Sequence, residues 1–111
     1  MQYLIHLKKH LTAEIKTFSD QSIESVKRPS LYRVYIVNDD YTPMEFVVEV
    51  IEKVFHKSTE ISTKIMLDVH KTGKGVCGIY SYDVAKTKSS LVEQIAKTNE
   101  YPLKCSLEKD Q

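Results

Sequence analysis

The sequence predicts one small α/β (α+β) domain, a three-stranded sheet covered on one side by three helices in the order β-α-α-β-α-β, preceded by an N-terminal extension. Three observations carry this reading. Residues 31–37, Leu-Tyr-Arg-Val-Tyr-Ile-Val, are β-branched and aromatic and stop at the turn-forming run Asn38-Asp39-Asp40. Apolar residues then recur at helical spacing through two successive segments and again beyond residue 81. Finally, residues 103–108 alternate apolar and polar with the period of a half-buried strand.

Each element has its own local signals. Residues 1–28 lack glycine and proline, and Leu4, Leu7, Leu11, Ile15 and Phe18 suit one face of a conditional helix. Pro29 pushes its predecessor towards extended geometry, so the boundary between extension (1–28) and domain (29–111) falls there. After the first strand, Thr42-Pro43-Met44-Glu45 combines a Thr N-cap, proline at the first helical position and Glu three residues past the cap, which starts a helix at Pro43. Its stripe of Val47, Val50, Ile51, Val54 and Phe55 is wide enough to cover a sheet. A second helix starts near Ser58 or Thr59, carries Ile61, Ile65, Met66 and Val69, and ends between His70 and Gly73. Residues 75–80 form the second strand, whose two glycines predict close approach by another backbone. Ser81 caps a third helix that runs to about Asn99 with Val84, Lys88, Leu91, Val92 and Ile95 on one side, and Pro102 stops it.

Composition excludes several function classes. Sixteen Lys and Arg against fifteen Asp and Glu give a formal net charge of +1, so no overall field attracts nucleic acid or an anionic membrane. Cys77 and Cys105 belong to no chelating pair and read as reduced core thiols, and no metal or other cofactor is expected. The longest apolar stretches fall far short of the roughly twenty residues that span a bilayer. His6, Lys8, Lys9 and His10 interrupt the apolar N-terminus, which therefore lacks a signal peptide's core, and a cytoplasmic location follows.

The polar run Asn38-Asp39-Asp40 between a strand and a capped helix is the most unusual local feature. On its own it is satisfied by turn chemistry, since Asx side chains at such corners bond nearby backbone groups. Residues 37–47, Val-Asn-Asp-Asp-Tyr-Thr-Pro-Met-Glu-Phe-Val, closely resemble the signature of the ClpS adaptors. The resemblance continues through Met66-Leu67-Asp68-Val69-His70, residues 73–78, Glu100-Tyr101-Pro102-Leu103 and Leu107-Glu108-Lys109, so it covers about residues 29–109.

That resemblance implies a small domain with three antiparallel strands and a non-enzymatic function. A ClpS adaptor binds the first residue of an N-degron, preferring Phe, Tyr, Trp or Leu, and delivers the substrate to the N-terminal domain of a Clp AAA+ ATPase of the ClpA type. It further implies that Asn38, Asp39 and His70 hold the α-amino group, and that Thr42, Met44, Val47, Met66, Val69 and Leu103, with Asp40 at the rim, form the side-chain pocket. Asp83 and Lys88 match positions that contact the ATPase, and residues 1–28 match the delivery tail, although this tail is more apolar than usual for the family. A bacterial, monomeric protein is expected.

The residue chemistry suits that task. A free α-amino group titrates near pH 7.7–8.0, is mostly cationic at neutral pH, and needs acceptors and a negative charge around one point. Met66, Val69 and His70 lie at i, i+3 and i+4, on one helix face. Simpler alternatives are His70 interacting with its helix dipole, the apolar residues as ordinary core, and Asp83 and Lys88 as solvated positions. An Asp/His hydrolase, or a metal site of Asp39, Asp40, His70 and Cys105, lacks the accompanying nucleophile or ligand spacing.

Overall fold

A computed structural model describes residues 28–110. The extension expected over residues 1–28, with its helical pattern, lies outside them except for Arg28. Strand β1 is Leu31–Val37, helix α1 Met44–Phe55, helix α2 Thr59–Thr72, strand β2 Lys74–Ser81, helix α3 Tyr82–Thr98 and strand β3 Lys104–Asp110. The element order is the predicted one. Both neighbours of the central strand are antiparallel to it, in the sheet order β2-β1-β3.

Alternation along β1 separates the two sheet faces. Val34 and Ile36 are fully buried beneath the helices with Val50, Ile51, Val92 and Cys77. Tyr35 projects the other way and is covered by charge, with the Lys74 ammonium 4.3 Å from its ring centroid and ion-paired to Glu108 at 2.7 Å. Between Val34 and Tyr35 the register with β2 shifts by one residue, leaving Cys77 as a bulge that turns into the core. Burial pushes the Cys77 thiol up to about 12 and does the same for Cys105, and both cysteines are free.

Helix α2 ends as its sequence predicts. Ser58 accepts a hydrogen bond from the Ile61 amide at 3.2 Å, and Gly73, at φ 96°, closes the helix by donating its amide to the Val69 carbonyl. Gly75 meets the expected backbone approach: a Cβ there would lie 2.8 Å from the Ile65 carbonyl oxygen and 2.9 Å from Val69 Cγ2. At Gly78 the space is instead taken by the ring of Tyr80, two residues along the same strand, whose Cε2 would lie 2.6 Å from a Cβ.

Three local expectations change. Helix α1 begins at Met44 with Pro43 as its cap in extended geometry, not at Pro43 with Thr42 as the cap. The Thr42 hydroxyl donates to the Asp39 carboxylate, and α1 has no side-chain cap hydrogen bond. On α3 the buried stripe is Ala85, Val92 and Ala96, whereas Val84 and Leu91 are exposed. Small alanines let the helix lie close to the sheet, and the longer side chains flank that contact. On α2, Ile61 is exposed and Ser62 is the buried neighbour.

Candidate functional site: a hollow between the β1–α1 corner and α2

The site begins where two chain segments are tied end to end. The amide of Asn38, the first residue after β1, donates to the Gly73 carbonyl at 2.8 Å, and Val37 pairs with Lys74. This places the corner after β1 against the C-terminal end of α2. Neither Gly73 nor Gly75 was singled out for the site from sequence, yet the first supplies the carbonyl that anchors Asn38 and the second lets α2 approach the sheet. Their signal in the sequence was the glycine itself at a helix end and inside a strand.

Between these segments lies a hollow of about 220 Å³. Its polar lining is Asn38, Asp39, Asp40, Thr42 and His70, and its apolar lining is Met44, Val47, Met66 and Val69. Val47 and Val69 are nearly buried and form the floor, Met66 is half-buried, and Met44 stands at the rim with 45% of its surface exposed. Asn38, Asp40 and His70 are exposed. The hollow thus pairs an apolar interior with acceptors at its mouth. Leu103, expected on the same wall, is absent from the lining: it is 2% exposed and packs in the main core with Val47 and Val50, its other side bordering a separate hollow beside Tyr101 and Pro102.

Asp39 organises the mouth. Its Oδ1 accepts from the Tyr41 amide at 2.8 Å and the Thr42 amide at 2.7 Å, and the Thr42 hydroxyl lies 3.0 Å from Oδ1 and 2.7 Å from Oδ2. Partial burial pushes the Asp39 carboxyl upward, but the hydrogen bonds from the Thr42 hydroxyl and from the Tyr41 and Thr42 amides outweigh it and hold it below its ordinary 3.8. Asp39 therefore carries full negative charge at neutral pH.

Asp83 and Lys88 lie elsewhere, on α3. Both border an apolar hollow of about 430 Å³ between α3 and the end of α1, together with Val54, Val84 and Leu91. Lys88 is not the solvated residue that its sequence position suggests. Its ammonium donates to the Val54 carbonyl at 2.7 Å and sits 5.3 Å from the Tyr80 ring centroid and 5.8 Å from that of Phe55. It thereby satisfies a carbonyl at the C-terminal end of α1.

The family model described as ATP-dependent Clp protease adaptor protein ClpS matches residues 27–106. The chain belongs to the ClpS family. The ATP-dependent Clp protease adapter protein ClpS of Caulobacter vibrioides is 58% identical over 84 residues, which cover 76% of this chain and 77% of that protein. The protein of the same name from Rhodospirillum centenum is 55% identical over 84 residues, covering 76% and 78%. Among solved structures, Agrobacterium tumefaciens ClpS2 bound to L-phenylalaninamide superposes with a TM-score of 0.73 at 36% identity, covering 75% of this chain and all of that one. The molecule is accordingly a protease adaptor and not an enzyme. Among the described residues no group of three or more His, Cys, Asp or Glu side chains could hold a metal ion, and no helix is long and apolar enough to cross a membrane.

Proposed function

We propose that the hollow receives the first residue of an N-degron substrate, with Asn38, Asp39 and His70 holding its α-amino group. Thr42, Met44, Val47, Met66 and Val69 surround the side chain, and Asp40 shapes the rim. The observation that carries this reading is the lining itself: apolar walls and a fixed carboxylate converge on one cavity with a polar mouth. The ligand of Agrobacterium tumefaciens ClpS2, L-phenylalaninamide, joins the same two features, a free α-amino group and an aromatic side chain. Phe, Tyr, Trp and Leu are the preferred first residues, and Met44 at the rim disfavours β-branched ones.

The magnitudes are those of a releasable ligand. Burying about 150–250 Å² of aromatic surface at about 25 cal/mol per Å² contributes on the order of 4–6 kcal/mol before association entropy is subtracted. Charge-assisted contacts to the amine supply the remainder of a roughly micromolar affinity, about 8 kcal/mol. Leu103 supports the floor from within the core rather than touching the ligand.

In the same reading the apolar hollow beside Asp83 faces the N-terminal domain of a ClpA-type ATPase, with Lys88 bracing its wall, and residues 1–28 serve as the segment the ATPase engages during transfer. The adaptor works as a monomer in the bacterial cytoplasm. Fluorescence anisotropy with peptides differing only in their first residue tests the site. A Phe-first peptide should bind, its N-acetylated form should not, and a Val-first peptide should bind far more weakly. Equal affinity for all three would end the proposal.

A further inference from the structure

An ionised carboxylate offers about four lone-pair positions, two on each oxygen. At Asp39 these are unequally used. Oδ1 accepts from the Tyr41 and Thr42 amides, which fill its two positions, and the Thr42 hydroxyl oxygen lies 3.0 Å from it. Among the described residues Oδ2 accepts only from the Thr42 hydroxyl, at 2.7 Å, so it keeps a free position. The single proton of the hydroxyl goes to Oδ2, the nearer oxygen, and with the two amides on Oδ1 it keeps the carboxylate from turning.

We infer that Thr42 is a positioning residue for amine recognition: by donating to Oδ2 its hydroxyl holds the Asp39 carboxylate so that the remaining position of Oδ2 is left to accept from an incoming ammonium group. The inference rests on the reading of the hollow as an amino-terminus receptor, and it changes the role of Thr42 from pocket wall to brace. Without that bond, Asp39 would keep its two backbone donors but could turn Oδ2 away, and ordering it again on binding would weaken the complex. The depressed titration of Asp39, to which the Thr42 hydroxyl is the largest favourable contributor, agrees with this arrangement.

The two roles predict opposite orders of affinity. Valine matches threonine in shape and lacks the hydroxyl, whereas serine keeps the hydroxyl and lacks the methyl group. As a brace, Thr42→Val weakens binding of a Phe-first peptide about tenfold while Thr42→Ser stays within about twofold, the size expected for losing one hydrogen bond to a charged group. As an apolar wall, Thr42→Val binds at least as well as the parent and Thr42→Ser is the weaker variant. Should Thr42→Val fail to fold, Thr42→Ala against Thr42→Ser makes the same comparison of hydroxyl absent with hydroxyl present.

Two further readouts separate positioning from general damage. Because Thr42 acts through Asp39, the double variant Asp39→Asn with Thr42→Val should bind no more weakly than Asp39→Asn alone, and additive losses would overturn the inference. Removing the hydroxyl also raises the pH at which Asp39 protonates, so the loss of binding on acidification should begin at a higher pH in Thr42→Val than in the parent. The other titratable groups lining the hollow are Asp40, beside Asp39 in the loop, and His70 on α2; both are unchanged between the proteins, so the difference reports Asp39. An unchanged pH profile and an unchanged affinity in Thr42→Val refute the brace. Failure of the parent itself to prefer the free amine over the acetylated peptide refutes the receptor reading on which it stands.

Discussion

Gly75→Ala isolates how the site is held against the sheet. The added methyl carbon would stand 2.8 Å from the Ile65 carbonyl oxygen, 2.9 Å from Val69 Cγ2 and 3.3 Å from Ile65 Cγ2. Carbon atoms in contact settle about 3.5–4.0 Å apart, so α2 would have to retreat by roughly 0.5–1 Å, and the obstructing carbonyl cannot swing aside as a side chain could. Overpacking of this kind costs about 1–3 kcal/mol, while replacing a strand glycine returns roughly 0.5–1 kcal/mol of chain entropy. At the middle of both ranges the net loss is about 1 kcal/mol, which for a domain of this size lowers the melting temperature by roughly 4–8 °C. Circular dichroism melts measure this directly. Since α2 carries Met66, Val69 and His70, affinity for a Phe-first peptide should fall as well. Gly73→Ala is the useful contrast, because nothing stands within 4 Å of its Cβ and only its φ of 96° opposes the substitution. A Gly75→Ala protein that melts at or above the parent would refute the reasoning, since it would mean that α2 is not pinned on β2 at that point.

Three other outcomes follow from the same contacts. Leu103→Ala should destabilise the fold by about 2–5 kcal/mol in chemical denaturation, and the surviving folded protein should still distinguish a free from an acetylated amine, because Leu103 is core and not pocket lining. Lys88→Met removes the ammonium from the Val54 carbonyl and should cost about 1.5–3 kcal/mol, the range for a hydrogen bond to a charged group; unchanged stability would return Lys88 to the status of a solvated residue. The Cys77 thiol, pushed up to about 12 by burial, should resist alkylation at pH 8 in the native protein and react once urea unfolds it, with the half-buried Cys105 less protected, as mass spectrometry would show; rapid native labelling of Cys77 would contradict its burial.

What could be read directly from the chain was what neighbours in sequence decide. The limits of β1, the Ser58 cap and the left-handed Gly73 closing α2 all depend on a few adjacent residues, and all stand where the local rules put them. The polar run at 38–40 and the i, i+3, i+4 face of Met66, Val69 and His70 were also visible as separate candidates. Their meeting was not visible in any local pattern, and only the resemblance of residues 37–47 and 66–70 to a known family linked them. Physically they meet because β1 pairs with β2, which brings Asn38 to the Gly73 carbonyl, and because Gly75 lets α2 settle close enough to form a wall.

The tertiary structure decided the competitions that local rules cannot judge. Thr42 carries every mark of a helix cap, whose oxygen would accept from an α1 amide, yet its hydroxyl turns to donate to the Asp39 carboxylate three residues earlier and α1 starts at Met44 without a side-chain cap. On α3 helical periodicity permitted more than one apolar stripe, and the side that the sheet could approach most closely, the one with Ala85 and Ala96, became the inner face. The family resemblance implies a pocket position for Leu103 and an ATPase contact for Lys88; packing buries Leu103 in the core, and the Val54 carbonyl tethers Lys88. Sequence thus determined which segments form and where they end, since those choices are settled over three or four residues. Which of their side chains share a cavity was settled only when sheet pairing and helix packing brought distant residues together.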